Sequence, residues 1–474
     1  MYIRLLLLSL LLLCQCVHSS TNQLPTIGEP VTIGSTAEEK RIGQAWLRLF
    51  RQQAPLNNDP LILEYTEALL ARLAKHDPDA GEEFSLVVVN NREINAFAVP
   101  GGIIGVNTGL YNYAQTENQF ASVMAHELAH LSQRHYSRGQ QSRKGQQALN
   151  MAALLASLLI AANSDTDAGI AALSASQASF IDRQLKLSRL HEEEADRIGM
   201  ETLVKAGFDP HGMVDMFEQM QRASLFSSEP PEFLLTHPIT ARRIADAENR
   251  ARAYPNRHSA SSIDYDLVRA RILFSMEETP QQAVQRFESE IRGFSPSEQG
   301  SRYGLVLALT AVKDYDKAHT VLSALKQQYP GQAALIIAQS NIDAGNNNLP
   351  KALADIKAAW ASAPQSQALG IHYAQLLTTN QDYSAALAAL NKVQQRRPND
   401  PYLWFHIAEI SGLSGDILNL HKARAEYFIL NGRFNNAANQ LNNILKKFGD
   451  DPDAKQHAKQ RLADLKIIQK NSKL

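Results

Sequence analysis

The sequence predicts an α+β, mostly helical fold in two parts: a domain built around a small β-sheet, followed by an all-α solenoid. Three observations carry this reading. Short β-type runs lie between residues 84 and 106, helical apolar spacing flanks them, and beyond residue 263 the chain repeats every 34 residues. At 474 residues the chain is also too long for one ordinary core, so two or three domains are expected.

Residues 1–19 have the form of a secretory signal. Arg4 precedes an apolar run from Leu5 to Leu13 that is too short to span a bilayer, and Val17 and Ser19 suit the small-residue positions before a cleavage point. Both cysteines of the chain, Cys14 and Cys16, fall inside this segment, so its removal would leave no thiols. A lipid-modified cysteine is the alternative, disfavoured because neither cysteine follows the small residues that such processing requires. Residues 20–37, rich in Thr, Pro, Gly and Ser, read as an extended arm. The composition is 44% hydrophobic and 20% charged with a net charge of -1. With no basic surplus to neutralise phosphates, nucleic acid is excluded as a partner class.

The first domain, residues 38–255, opens with helical spacing over Glu38 to Phe50 and Leu61 to Lys75, broken at Asn57-Asn58-Asp59-Pro60. Phe84 to Val89 reads as a strand, Glu93 to Pro100 as a second, and Gly101-Gly102 turns the chain into a third, Ile103 to Val106. Pro100 cannot donate to a ladder, which places the second strand at a sheet edge. The segment Asn95, Ala96, Phe97, Ala98, Pro100 could there pair with an extended peptide, or the proline could simply protect the edge.

Thr116-Glu117-Asn118-Gln119 has the pattern of a capping box, and the apolar residues after it carry a helix into His126-Glu127-Leu128-Ala129-His130. Two histidines four apart on a helix share a face, so both imidazoles can reach one cation. Glu127 is rotated off that face, poised to take a proton from water rather than to bind the ion. A third ligand is needed, and Glu192 in His191-Glu192-Glu193-Glu194-Ala195-Asp196 is the best candidate, on a helix that ends at Gly207. Asp196, one turn on, can accept the spare N–H of a ligating histidine. His135, His191 and His211 read as supporting or surface residues. Between these motifs, the apolar run Ala148 to Ala162 is about 15 residues long, short of the roughly 20 that cross a bilayer, and reads as a helical hairpin acting as a movable cover, with ordinary helix packing and then peripheral contact with a membrane as alternatives.

The combination of His126-Glu127-x-x-His130 with Glu192-x-x-x-Asp196, preceded by Asn95-Ala96-Phe97-Ala98-Val99-Pro100-Gly101-Gly102, resembles the zinc metallopeptidases related to the CAAX prenyl proteases. The resemblance covers residues 40 to 250. It implies one Zn2+ per chain on His126, His130 and Glu192, with Glu127 as general base and then proton donor to the leaving amine. His237-Pro238 and Arg243 match the family's later signature, which implies that His237 and Arg243 face the cleft and stabilise the oxyanion. A histidine before proline could also fill the open metal position in a resting state.

From 263 to 474 the chain becomes Ala- and Leu-rich. Pro330, Pro364 and Pro398 are 34 residues apart, as are Ala318, Ala352 and Ala386, and Tyr315, Leu349 and Tyr383. That period, with small residues at a helix crossing and a closing proline, is the tetratricopeptide signature, and stacked helix pairs offer a concave surface to peptides or proteins. Ala283 and Pro296 extend the pattern upstream. Phe434 with Ala437 extends it downstream after an irregular insertion expected near Gly412 to Leu420.

A zinc peptidase domain joined to such repeats behind a signal segment is similar to bacterial periplasmic proteases of β-barrel assembly. The resemblance implies a quality-control enzyme of the periplasm, with the barrel assembly machinery as a partner and unfolded or misassembled outer-membrane proteins as substrates, which either promotes maturation of a barrel protein or degrades one that stalls. The rival reading is a chaperone or scaffold in which hydrolysis is secondary. A prenyl-processing enzyme is disfavoured, since the chain lacks the long apolar spans that would surround a lipid.

Overall fold

The computed structural model describes residues 36–77, 79–81, 84–135, 138, 175–225, 231–255 and 261–472. The expected arm, up to residue 35, the signal segment and the Ala148 to Ala162 cover lie outside the described residues.

Three short strands form one mixed sheet in the order β1–β3–β2: β1 is Ser85–Val89, β2 is Ala96–Val99 and β3 is Ile103–Asn107. β1 runs parallel to β3 with Ser85 opposite Ile103, and β2 runs antiparallel to β3 with Ala96 opposite Val106. Among the described residues β2 therefore has a neighbour on one side only, as the Pro100 argument expected. It is shorter than the sequence pattern suggested. Residues 91–95 are already committed to a loop, in which Asn91 Oδ1 accepts from Glu93 N at 2.8 Å and Asn95 O accepts from Asn107 N at 2.9 Å.

Alternation along the strands gives the sheet two buried faces. Val87, Val89, Phe97, Val99 and Ile103 pack under helix α1, Thr36–Gln53, through Trp46, Leu47 and Phe50. The Trp46 and Phe50 rings stack at 4.5 Å, with the Phe97 edge against both. That ring occupies the space above Gly105, where a Cβ would overlap it. The opposite face, Val88, Ala96, Ile104 and Val106, packs on α2, Pro60–Ala74, and on α4, Glu117–Ser132. Asp59 caps α2 with Pro60 in its first turn, and a short α3, Thr108–Tyr113, joins β3 to α4.

Next come α5, Ala175–Lys205, α6, His211–Leu225, α7, Glu232–Thr236, and α8, Ala241–Ala251. Twelve further helices follow among the described residues, from α9, Ile263–Met276, to α20, Pro452–Asn471. They stack as successive pairs, among them α11, Glu298–Ala311, with α12, Tyr315–Gln328; α15, Gln367–Thr379, with α16, Tyr383–Gln394; and α17, Pro401–Leu413, with α18, Ile417–Leu430. Ala318, Ala352 and Ala386 are fully buried, as their 34-residue spacing required.

The irregular insertion expected near Gly412 to Leu420 is absent. α17 ends, Gly415 turns with φ +78, and α18 starts in register, since Ile417 follows Tyr383 by 417 − 383 = 34 residues. The pattern was masked because Leu420 stands where the period places alanine, and the small residue is its neighbour Gly412 instead.

The repeats pack against α2. Both α9 and α15 touch this helix although two helix pairs separate them along the stack. Asp59 accepts from Arg271 Nε at 2.5 Å, Leu61 joins the repeat core, Glu64 accepts from Ser366 Oγ and Ala368 N, and Glu67 takes both arms of the Arg397 guanidinium. Farther along, Arg51 of α1 donates to Leu430 O and Arg41 to Asn471 O. A helix of the same chain thus covers the repeats along this line.

Candidate metal centre and peptidase site

α4 starts from a complete capping box: Thr116 Oγ1 accepts from Gln119 N, and the Gln119 side chain accepts from Thr116 N. Glu117, at the first position of the helix, accepts from Tyr65 and from Ser262 N and Oγ, at 2.8–2.9 Å. The start of the histidine-bearing helix is thereby tied to the N-cap of α9, the first repeat helix. From this start an almost wholly buried helix carries His126, Glu127 and His130 into the interior.

α5 crosses α4 closely at Gly199. A Cβ there would lie 3.1–3.2 Å from the backbone of His126 and Ala125, so the lack of a side chain lets the helices meet. The crossing brings Glu192 and Asp196 against the histidines. His126 Nε2 lies 3.0 Å from His130 Nε2 and 3.3 Å from Glu192 Oε2, while His130 Nε2 lies 3.4 Å from Glu192 Oε1. The short α7 delivers His237, whose Nδ1 is 3.0 Å from Glu192 Oε1 and 3.4 Å from His126 Nε2. Ligand atoms from His126, His130, Glu192 and His237 all fall within 4.8 Å of one another.

This donor set fits a divalent ion of the zinc type. Ligands at about 2.0–2.1 Å in tetrahedral geometry stand about 3.3–3.4 Å apart, close to the separations seen here. Two imidazole nitrogens 3.0 Å apart, turned to one point beside a carboxylate, are poorly served by each other and well served by a shared cation. No thiol is among the donors, and three nitrogens with one carboxylate oxygen suit borderline metals better than calcium or magnesium.

Charged groups surround these donors. Asp196 Oδ1 lies 3.0 Å from His126 Nδ1, so the nitrogen turned away from the cluster faces a carboxylate. Arg243 is buried and grips Asp196 with Nε and Nη2 at 2.7 and 2.8 Å; its Nη1 donates to Pro238 O and stands 3.1 Å from Glu192 Oε2. Most of its donors are thus engaged on the carboxylates and the loop rather than presented to the cleft. Burial alone would push the His126 imidazole down, but Asp196 and Glu192 hold it up to about 10. Burial works against the charge of Glu192 too, yet His237 and His130 keep its carboxyl well below the usual range. Burial pushes His130 down to about 3, favouring the neutral form that binds metals. It also pushes the Glu127 carboxyl up, towards the range of a working base. Glu127 stands outside the cluster, 3.6 Å from His237 Nε2.

β2 runs beside α4, with Asn95 and Ala96 buried at its start. Phe233 was not singled out in the sequence. Its ring stacks on His237 at 4.6 Å and its N–H donates to Ile94 O, fixing α7 just ahead of β2. An aromatic four residues before a histidine on a short helix is too common a pattern to have revealed it. His211 pairs with Asp209 at the start of α6, away from the metal cluster, whereas His191 stacks on His135 at 4.5 Å. No helix among the described residues is long and apolar enough to cross a membrane.

The family model described as Peptidase family M48 matches residues 62–251, and one described as Tetratricopeptide repeat matches residues 344–405. A protein of Escherichia coli strain K12 named beta-barrel assembly-enhancing protease is 32% identical, the alignment covering 89% of this chain and 87% of that one. One of the same name from Yersinia pestis is 32% identical over 88% and 86%. Metalloprotease LoiP of Escherichia coli is 28% identical over a shorter stretch, 36% of this chain and 65% of its own. A clustered His/Glu centre in the first domain, helical repeats in the second, and relatives aligned across both together show that the chain is a metalloprotease belonging to the beta-barrel assembly-enhancing protease family.

Proposed function

We propose that this chain is a zinc endopeptidase of the bacterial periplasm that acts on unfolded or misassembled outer-membrane β-barrel proteins. The convergence of His126, His130 and Glu192 on one point is the observation that carries the reading. These three would hold the ion, with His237 as the fourth donor of a resting state. When bound, Zn2+ supplies Lewis acidity to water and to the scissile carbonyl. Substrate would lie as an added strand against β2 near Asn95, Ala96, Phe97, Ala98 and Pro100. Glu127 takes the proton from the attacking water and returns it to the leaving amine. His237, once swung off the centre, is a donor for the oxyanion. Arg243 acts by fixing Asp196 and Glu192, which reassigns the oxyanion role first given to it. Asp196 orients His126.

Periplasmic location is supported by the signal-like segment before residue 20 and by the names of the relatives. Those names also support clients among barrel proteins and an association with the barrel assembly machinery. The test is zinc content and casein digestion by wild type and His126→Ala: wild type is expected to bind one ion and digest, the variant to do neither. A metal-free wild type ends the proposal. The chaperone reading is separated by Glu127→Gln in cells, which should lose client turnover while any scaffold activity persists.

A further inference from the structure

The two histidines of α4 are supported differently. His126 Nδ1 lies 3.0 Å from Asp196 Oδ1. His130 turns its Nδ1 on another histidine: His135 Nδ1 is 3.0 Å away, and the far nitrogen of that ring, Nε2, is 3.0 Å from Glu194 Oε2. Glu194 in turn accepts from Arg138 Nη1 at 3.1 Å.

The donors in this chain are determined by the chemistry. A neutral His130 whose Nε2 lone pair faces the centre must carry its proton on Nδ1. His135 Nδ1 must then accept, which puts the His135 proton on Nε2, opposite a carboxylate that can only accept. The ring is held in this pose from two sides. α4 ends at Ser132, and Arg134 adopts φ 50, a left-handed conformation costly for a residue with a Cβ, which folds His135 back against His130. On its other face His135 stacks on His191 at 4.5 Å, the planes only 9° apart. His135 itself is buried.

The geometry points to His135 as a positioning residue of the metal centre: it fixes the tautomer and direction of His130 and passes to it the negative charge of Glu194. The assignment rests on the metal-site reading above. A ligand hydrogen-bonded to a carboxylate becomes more basic and rotationally fixed, and loss of such a partner typically lowers metal affinity 10- to 100-fold.

The test uses the full chain, Zn2+ as probe and a competing chelator. His135→Ala is expected to lose about 10- to 100-fold in zinc affinity. His135→Asn, whose Oδ1 takes the place of Nδ1, should recover most of it. His135→Gln, whose polar atoms reach the Nε2 position instead, should not. A merely structural role would show instead as equal losses in Asn and Gln, tracking the unfolding midpoint of the metal-free protein. Nitrogen-15 spectra of the zinc-loaded wild type should show His135 protonated at Nε2. Zinc binding by His135→Ala within twofold of wild type, an Asn variant no better than Ala, or a His135 proton on Nδ1 would each overturn the assignment. A wild type that takes up no zinc would overturn the metal-site reading with it, whereas the other outcomes leave that reading standing.

Discussion

Asp196→Asn tests whether the carboxylates around the centre are held by Arg243. In wild type, Asp196 accepts two hydrogen bonds from the buried guanidinium, at 2.7 and 2.8 Å, and faces His126 Nδ1 at 3.0 Å. An asparagine has one acceptor oxygen and a donor amide, so it can keep one of these partners and must turn N–H groups on another. Breaking a buried pair by removing one partner costs about 3–5 kcal/mol. Because Glu192 lies 3.1 Å from Arg243 Nη1 and the substituted amide keeps one bond to the guanidinium, about 2–4 kcal/mol is expected for the metal-free protein. The metal suffers separately. With a neutral side chain in place of Asp196, the guanidinium moves its charge onto Glu192, weakening it as a ligand, and His126 loses its anionic partner. Zinc affinity should fall about 10- to 100-fold, or about 1.4–2.8 kcal/mol. Denaturant unfolding of the metal-free chain and chelator competition for zinc measure the two losses independently. If both match wild type within error, Arg243 and Asp196 do not organise this site.

Glu127→Gln should lower peptide hydrolysis by about 10²- to 10⁴-fold while zinc content stays at one per chain, because Glu127 stands outside the ligand cluster; loss of zinc in this variant would contradict its role. Gly105→Ala should cost about 1–3 kcal/mol by driving Phe97 out of its contacts with Trp46 and Phe50, visible as a lower unfolding midpoint with altered tryptophan fluorescence. His372, buried in α15 with its Nε2 3.2 Å from Ser340 Oγ, is pushed by burial down to about 4 from 6.5. Its folded pKa lies below its unfolded one, so it contributes nothing to the pH dependence above pH 6.5. Stability is then lost as pH falls from 6.5 to 4, by up to about 3 kcal/mol. Comparing pH 7 with pH 4.5 in wild type and His372→Gln isolates this, and equal acid sensitivity in both would refute it. Exchanging the charges of Glu67 and Arg397 singly should loosen the repeats from α2, seen as faster proteolysis, and the double exchange should restore protection.

What was legible in the sequence obeys short-range rules. The capping box at Thr116 and Gln119 follows from three-residue spacing, and the His126 and His130 face follows from four. The repeat was readable because each helix pair meets the same neighbour, so the same small residue recurs at 318, 352 and 386. The misreading at 412–420 arose where the small partner sits on the other helix of the crossing. What was not legible depends on contacts remote in sequence. The grip of Arg243 on Asp196, the turn at Arg134 that returns His135 to His130, and the ring of Phe233 against His237 require helices to be placed before any pairing can be read. The same holds for α2 against the repeats. Its amphipathic pattern says that one side is covered, not that the covering comes from residues about 300 positions later.

The position of α2 changes how ligands of the repeats should be weighed. A polypeptide binding along this line would have to displace a helix that is itself part of the peptidase core, with Ile62, Leu69, Leu70 and Leu73 buried in it. Ligands of the repeats are therefore expected on surfaces that this helix leaves uncovered.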